Sequence, residues 1–167
     1  GTPAGGFPVT PDGVQDRGGN ATDNATATGE LSDMQTEDVG EPGVDPLLEG
    51  DAGYFGNGGY YVAGGGSDIW NNADAFRFVY QEFTGKFDMR VRVESLEGPD
   101  TWTKACLMAR EFVGATDPGD RHVDVLATRT AGQNILNMQW RDTYAGGSAS
   151  KPAAERFGPA PYPNTWI

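Results

Sequence analysis

The sequence predicts an all-β protein, a sandwich of short antiparallel strands preceded by an extended N-terminal arm. Gly (25) and Pro (11) together supply 36 of the 167 residues, a proportion that suits many tight turns. Seven or so short segments follow one another with turn residues between them. No stretch repeats its apolar residues with the 3.6-residue helical period. The length suffices for one domain with a core of its own.

The first 50 residues are rich in Gly, Pro, Asp, Asn and Thr, with apolar residues too sparse for a core, and read as an arm or linker. Residues 51–167 carry the strand patterns. Gly59 to Ala63 is a short strand that runs into Gly64-Gly65-Gly66. Ala75 to Gln81 alternates, with Phe76, Phe78 and Tyr80 on one face. After the turn Thr84-Gly85-Lys86, Phe87, Met89, Val91 and Val93 alternate with Asp88, Arg90, Arg92 and Glu94, so these two segments predict a hairpin. Glu97 to Asp100 is a turn, Lys104 to Arg110 a strand, and Pro118-Gly119 marks another loop. His122 to Ala127 and Asn134 to Trp140 form a further pair. Trp166-Ile167 opens a strand.

Net charge is −12, and residues 1–52 hold 11 acids against Arg17 alone. A field of this sign disfavours nucleic acid and anionic membrane as partners. No apolar run approaches the roughly 18 residues of a membrane span. Cys106 is the sole cysteine, which excludes an intrachain disulfide; inside an apolar strand it reads as a small buried hydrophobe. His122 is the sole histidine, so a Cys/His zinc site and a Ser-His-Asp triad are poorly supported. Asn20-Ala21-Thr22 and Asn24-Ala25-Thr26 match the glycosylation sequon, making Asn20 and Asn24 candidate glycan acceptors in an exported protein.

Gly64-Gly65-Gly66-Ser67-Asp68-Ile69-Trp70, Asp74 to Gln81, Gly85 to Phe87, Arg92-Val93, Trp102 to Glu111 and Pro161 to Ile167 together resemble the concanavalin A-like, or laminin G-like, β-sandwich superfamily, in a branch found in large secreted bacterial proteins. The resemblance implies a jelly-roll of two antiparallel sheets, usually a non-catalytic module. It also implies further strands after the Trp-Ile segment, to be supplied either by a longer polypeptide or by another chain through strand addition.

Enzymes of this fold place two carboxylates close together on one strand, an arrangement missing here. Glu94 and Glu97 are three residues apart, and Asp68 and Asp74 read more simply as turn residues. Calcium is the one candidate cofactor, with Asp117, Asp120 and Asp124 grouped around Pro118-Gly119. Trp70, Trp102, Trp140 and Tyr144 are candidate sugar-stacking residues, with packing at the sandwich rim as their simpler role. Arg90, Arg92, Arg110 and Arg141 are expected to pair across strands with Asp88, Glu94 and Glu111. The functional expectation is a secreted or surface-displayed module serving adhesion, glycan contact or assembly into a filament. The alternative is a polysaccharide hydrolase or lyase, or its carbohydrate-binding module.

Overall fold

In the computed structural model, the described residues are 34–55, 58–111, 117–130 and 133–167. Asn20 and Asn24 lie outside them. The protein is all-β, with antiparallel pairing throughout and no α-helix among these residues. The described residues form eleven strands: β1 (Gln35–Val39), β2 (Asp51–Tyr54), β3 (Tyr60–Ala63), β4 (Asp68–Trp70), β5 (Ala73–Tyr80), β6 (Arg92–Val93), β7 (Lys104–Arg110), β8 (His122–Thr130), β9 (Gln133–Arg141), β10 (Ala149–Ser150) and β11 (Thr165–Trp166). They form a four-stranded sheet in the order β10-β9-β8-β7, a three-stranded sheet β1-β5-β4, and the two ribbons β2-β3 and β6-β11.

The stretch read as an arm contributes a strand. β1 pairs along β5 from Gln35 with Tyr80 to Val39 with Phe76, and Val39 is fully buried. Strand structure is therefore present before residue 51. Only one of the five residues in Gln-Thr-Glu-Asp-Val is apolar, so alternation gave no warning; the partner strand creates the burial. Asp38 anchors the turn that follows, accepting from Arg77 Nη1 (3.1 Å) and Gly50 N (2.9 Å).

β1 also explains why the expected hairpin of Ala75–Gln81 with Phe87–Glu94 does not form. β4 pairs with Ala73–Ala75 of β5 and β1 with Phe76–Tyr80, so the part of β5 nearest the turn at Thr84–Lys86 takes β1 as its partner instead of Phe87–Glu94. Phe87 is 56 % exposed and only Val93 of the four alternating apolar residues is buried. The regular part shrinks to Arg92-Val93, which pairs with Trp166 and Thr165. Val91 and Ile167 extend that ribbon by exchanging backbone hydrogen bonds of 2.8 and 3.0 Å.

The glycine run has a packing reason. A Cβ on Gly66 would stand 1.9 Å from Ala75 O, and one on Gly65 would stand 2.3 Å from Leu48 O, so both are places of close backbone approach. β4 then turns into β5 through Asn71-Asn72. Asn71 takes a positive φ of 54°, which Asn tolerates in tight hairpins.

β8 and β9 are inverted relative to ordinary alternation. On β8, Asp124 is 1 % exposed while its neighbours Val123 and Val125 are each 39 % exposed. His122, Leu126 and Thr128 are buried with Asp124. On β9 the buried residues are Asn137, Gln139 and Arg141, which pair with Leu126, Asp124 and His122. The shielded face of this sheet is therefore largely polar, and the opposite face carries the valines.

Two buried ion pairs that share one carboxylate join the two larger sheets. Asp74 of β5 meets Arg110 of β7 and Arg141 of β9. Replacing Asp74 with Ala leaves two buried guanidinium groups short of their counter-ion, and loss of one partner from such a pair costs on the order of 3–5 kcal/mol. Urea denaturation of Asp74→Ala should show a loss in that range. A midpoint within error of wild type would show that the sheets are held together by other contacts.

Candidate functional site

Asp74 is where the polar interior is organised. Its carboxylate is inaccessible and accepts from Arg141 Nη2 on Oδ1 (2.6 Å), and from Arg141 Nη1 (2.7 Å) and Arg110 Nη1 (2.6 Å) on Oδ2. The two-point contact with Arg141 is the fork geometry that a guanidinium offers a carboxylate. Asp74 sits near the start of β5, directly after the Asn-Asn turn, and Pro118 O accepts its backbone N–H at 2.9 Å.

Arg141 spends its remaining donors on loop carbonyls. Nε donates to Gly146 O (3.1 Å), Nη1 to Pro118 O (3.2 Å) and Asp120 O (3.1 Å), and Nη2 to Asn71 O (3.1 Å). These oxygens belong to three connections: β4–β5, the approach to β8, and β9–β10. A single fully buried cation thus fixes three loops at one end of the sheets. Ser148 closes the same corner, with its hydroxyl and its N–H both donating to Asn71 O at 2.8 Å.

Below this hub lie His122 and Asp124, with His122 Nδ1 3.0 Å from Asp124 Oδ2 and His122 Nε2 3.7 Å from Asp74 Oδ2. Burial pushes the Asp124 carboxyl up from its ordinary value, and the contact with His122 offsets that only in part. The Cys106 thiol is pushed well up by burial and then by Asp124, which favours its protonated form. Cys106 as a whole residue is half-buried, on a strand that ends its sheet among the described residues. Lys104 completes the row, donating to Ile69 O (2.9 Å) and pairing with Asp68 (2.5 Å).

The expected site residues are dispersed. Trp70 has Lys104 Nζ 5.9 Å from its ring centre, and Trp102 has the Arg156 guanidinium at 5.5 Å. Trp140 stands on β9 opposite Val123, on the outward face. Tyr144 covers Gly119, whose Cβ position is 3.3 Å from the ring, and donates to Asp117 Oδ2 at 3.1 Å. Each aromatic has a different neighbour, and the four do not form one platform.

Asp117, Asp120 and Asp124, the candidate calcium ligands, each have a different neighbour. Asp117 accepts from Gly119 N (2.9 Å) as well as Tyr144, the Asp120 carboxylate lies 3.9 Å from Arg110 Nε, and Asp124 is matched to His122. Among the described residues no three His, Cys, Asp or Glu side chains are gathered so that they could hold a metal ion. Asp117 lies in the loop with Tyr144, and although Asp120 and Asp124 are both buried on the shielded side, Arg110 stands beside the one and His122 beside the other.

The arginines also depart from expectation. Arg90 and Arg92 pair with Asp88 and Glu94 two residues away on their own segment, and not across strands; Arg110 and Arg141 turn inward to Asp74, and Glu111 pairs with Arg121 instead. That exposed contact holds the Glu111 carboxyl below its usual value. Asp74, Arg110 and Arg141 were the residues that sequence reading missed as a unit. The available signal was a charged residue at positions inside strands, where an unpaired charge is not tolerated.

The opposite side of the β7–β9 sheet is apolar. Ala105, Leu107 and Ala109 of β7 register with Ala127, Val125 and Val123 of β8, and these with Leu136, Met138 and Trp140 of β9. Ala127 is buried, Val123 and Val125 are exposed, and the rest are half-buried. The outer edge of β7 has no partner strand among the described residues. Two shallow cavities lie elsewhere: one of about 480 Å³ is bordered by Asp38, Gly40, Glu41, Ser67, Asp74 and Pro118, and one of about 520 Å³ by Thr36, Glu49 and Arg77. In comparisons with known proteins, no family model, no curated protein and no solved structure matches the chain.

The raised Asp124 carboxyl makes stability depend on pH in a definite direction. The folded state holds its proton more tightly than the unfolded state, so the contribution is present below the unfolded value and is lost as pH rises through the folded one. Asp124→Asn, which cannot ionise, should therefore gain stability relative to wild type as the pH is raised from 4 towards 7. Paired urea titrations across that range test this; a constant difference would show that Asp124 titrates as an ordinary carboxyl.

Proposed function

We propose that this chain is a non-catalytic extracellular structural and binding module, built as a concanavalin A-like jelly-roll sandwich, that assembles with neighbouring polypeptides through strand completion. The observation that carries this reading is the apolar outer face of β7–β9 beside an edge of β7 that has no partner strand among the described residues. Exposed contiguous apolar surface favours association, and an open edge offers unpaired backbone groups to an incoming strand.

Geometry favours strand completion over simple face-to-face docking. Three strands about 4.8 Å apart, with three outward residues each, present on the order of 300 Å². A stable interface needs roughly 800 Å² from each partner. A strand added to β7 contributes main-chain hydrogen bonds, and strands laid about 10 Å above the face would bury it as the second layer of a sandwich. The paired sequons at Asn20 and Asn24 and the acidic first third of the chain suit an exported, solvated protein. A binding role is preferred to hydrolysis because Asp74 and Asp124 are shielded from solvent and matched to arginine and histidine.

Sedimentation velocity and negative-stain microscopy test the reading. Wild type should associate with rising concentration, and the double variant Val123→Asp/Val125→Lys should remain monomeric. Both residues are exposed, so the change in unfolding free energy should stay below about 1 kcal/mol. Monodisperse wild-type monomers at the highest soluble concentration would remove the basis for the proposal.

A further inference from the structure

The β2–β3 ribbon carries a second exposed surface of different character. Gly53 pairs with Tyr61, and Tyr54 with Tyr60. Side chains alternate across the ribbon, so Asp51, Gly53 and Phe55 share a face with Tyr61. Tyr61 is 43 % exposed and Phe55 62 % exposed. Their ring centres are 5.8 Å apart and the planes are inclined by 45°, which makes a shallow trough with aromatic walls.

The trough is held in shape. Tyr61 Oη donates to Asp51 Oδ2 at 2.5 Å, tying down the far end of the ring. The near part lies across Gly53, where a Cβ would come within 2.3 Å of Tyr61 Cε1. Glycine is therefore required for the ring to lie flat on the ribbon. On the other face, the Tyr54 and Tyr60 rings pack at 5.1 Å and stiffen the support. Asp51 Oδ1 accepts from Ala52 N at 2.9 Å, so each oxygen has one partner. A carboxylate has about four lone-pair positions, and those remaining on exposed Asp51 face solvent.

We propose that this face of the β2–β3 ribbon is a carbohydrate-binding subsite, taking one neutral pyranose ring of an oligosaccharide. The C–H face of the sugar meets the electron-rich faces of Tyr61 and Phe55. Its hydroxyls donate to Asp51. A carboxylate acceptor beside the rings suits a ligand rich in O–H donors, whereas a proline-rich strand, the other common occupant of aromatic troughs, brings few donors. The subsite lies on strands that take no part in the β7–β9 face, so it and the assembly reading can fail separately.

Isothermal titration of the intact chain with neutral cello-, xylo- and manno-oligosaccharides, and with a proline-rich decapeptide, tests the proposal. At least one sugar series should saturate. Tyr61→Ala and Phe55→Ala should each weaken it about tenfold or more, the loss of one stacking contact. Gly53→Ala should weaken binding although both rings are kept, because the ring no longer lies flat. Tyr61→Phe, which keeps the ring and loses the tether, should fall between wild type and Tyr61→Ala. Trp102→Ala should bind as wild type, and denaturation midpoints of all variants verify folding. Failure of every sugar to saturate, retention of affinity in the Phe55→Ala/Tyr61→Ala variant, or saturation by the peptide alone would each overturn the assignment.

Discussion

A carboxylate shared by two arginines governs the arrangement of this protein. Asp74 comes from the sheet β1-β5-β4, while Arg110 and Arg141 come from the sheet that ends at β7. Charges removed from water are costly unless their partners and hydrogen bonds are complete. Here completion requires the loops as well: Arg141 reaches carbonyls at Asn71, Pro118, Asp120 and Gly146. The contact consequently specifies where three connections sit, as well as holding two sheets in contact. A purely apolar junction would bind as strongly but would constrain the relative position of the sheets less closely, because the hydrophobic effect has no direction.

The inverted sheet follows from this choice. Once Arg110 and Arg141 point inward, the strict two-residue period of strands carries every second neighbour inward with them. His122, Asp124, Gln139 and Asn137 are thereby buried, and Val123, Val125, Leu136, Met138 and Trp140 are turned outward. Polar burial on one side and apolar exposure on the other are one fact about register. The exposed valines are then a consequence of keeping the ion pair, and they produce the surface on which the proposed assembly rests.

Much of the architecture was legible. The strands at Tyr60–Ala63, Ala73–Tyr80, Lys104–Arg110, His122–Thr130 and Gln133–Arg141 all overlap the segments that alternation and turn residues marked, although β5 starts two residues earlier and β8 runs three residues further than those segments. Less legible was which strands pair. Phe87 to Glu94 has the most regular alternation in the chain, yet among the described residues only Arg92-Val93 forms a strand there, paired with β11, while β5 pairs with β1. β1 itself was hidden among acidic and turn residues, and its one apolar side chain, Val39, became core through its neighbour. The site was less legible still. Tryptophans and clustered aspartates stand out by type, but Trp70 and Trp102 lie beside single cations and the aspartates face three different partners. The aromatic trough on β2–β3 combines common residues with a glycine whose importance depends on a ring lying over it.

The sequence by itself determined the all-β character, the turn positions, the acidic first third and the lack of any possible intrachain disulfide, because these depend on composition and on patterns spanning a few neighbouring residues. The tertiary structure alone decided which edge each strand occupies, which face of β7–β9 is shielded, and that Asp74 serves Arg110 and Arg141, residues 36 and 67 positions away. Alternation states that two faces differ without stating which one faces inward. That choice belongs to contacts between distant residues, and here the ion pair outweighs the hydrophobic preference of the valines beside it.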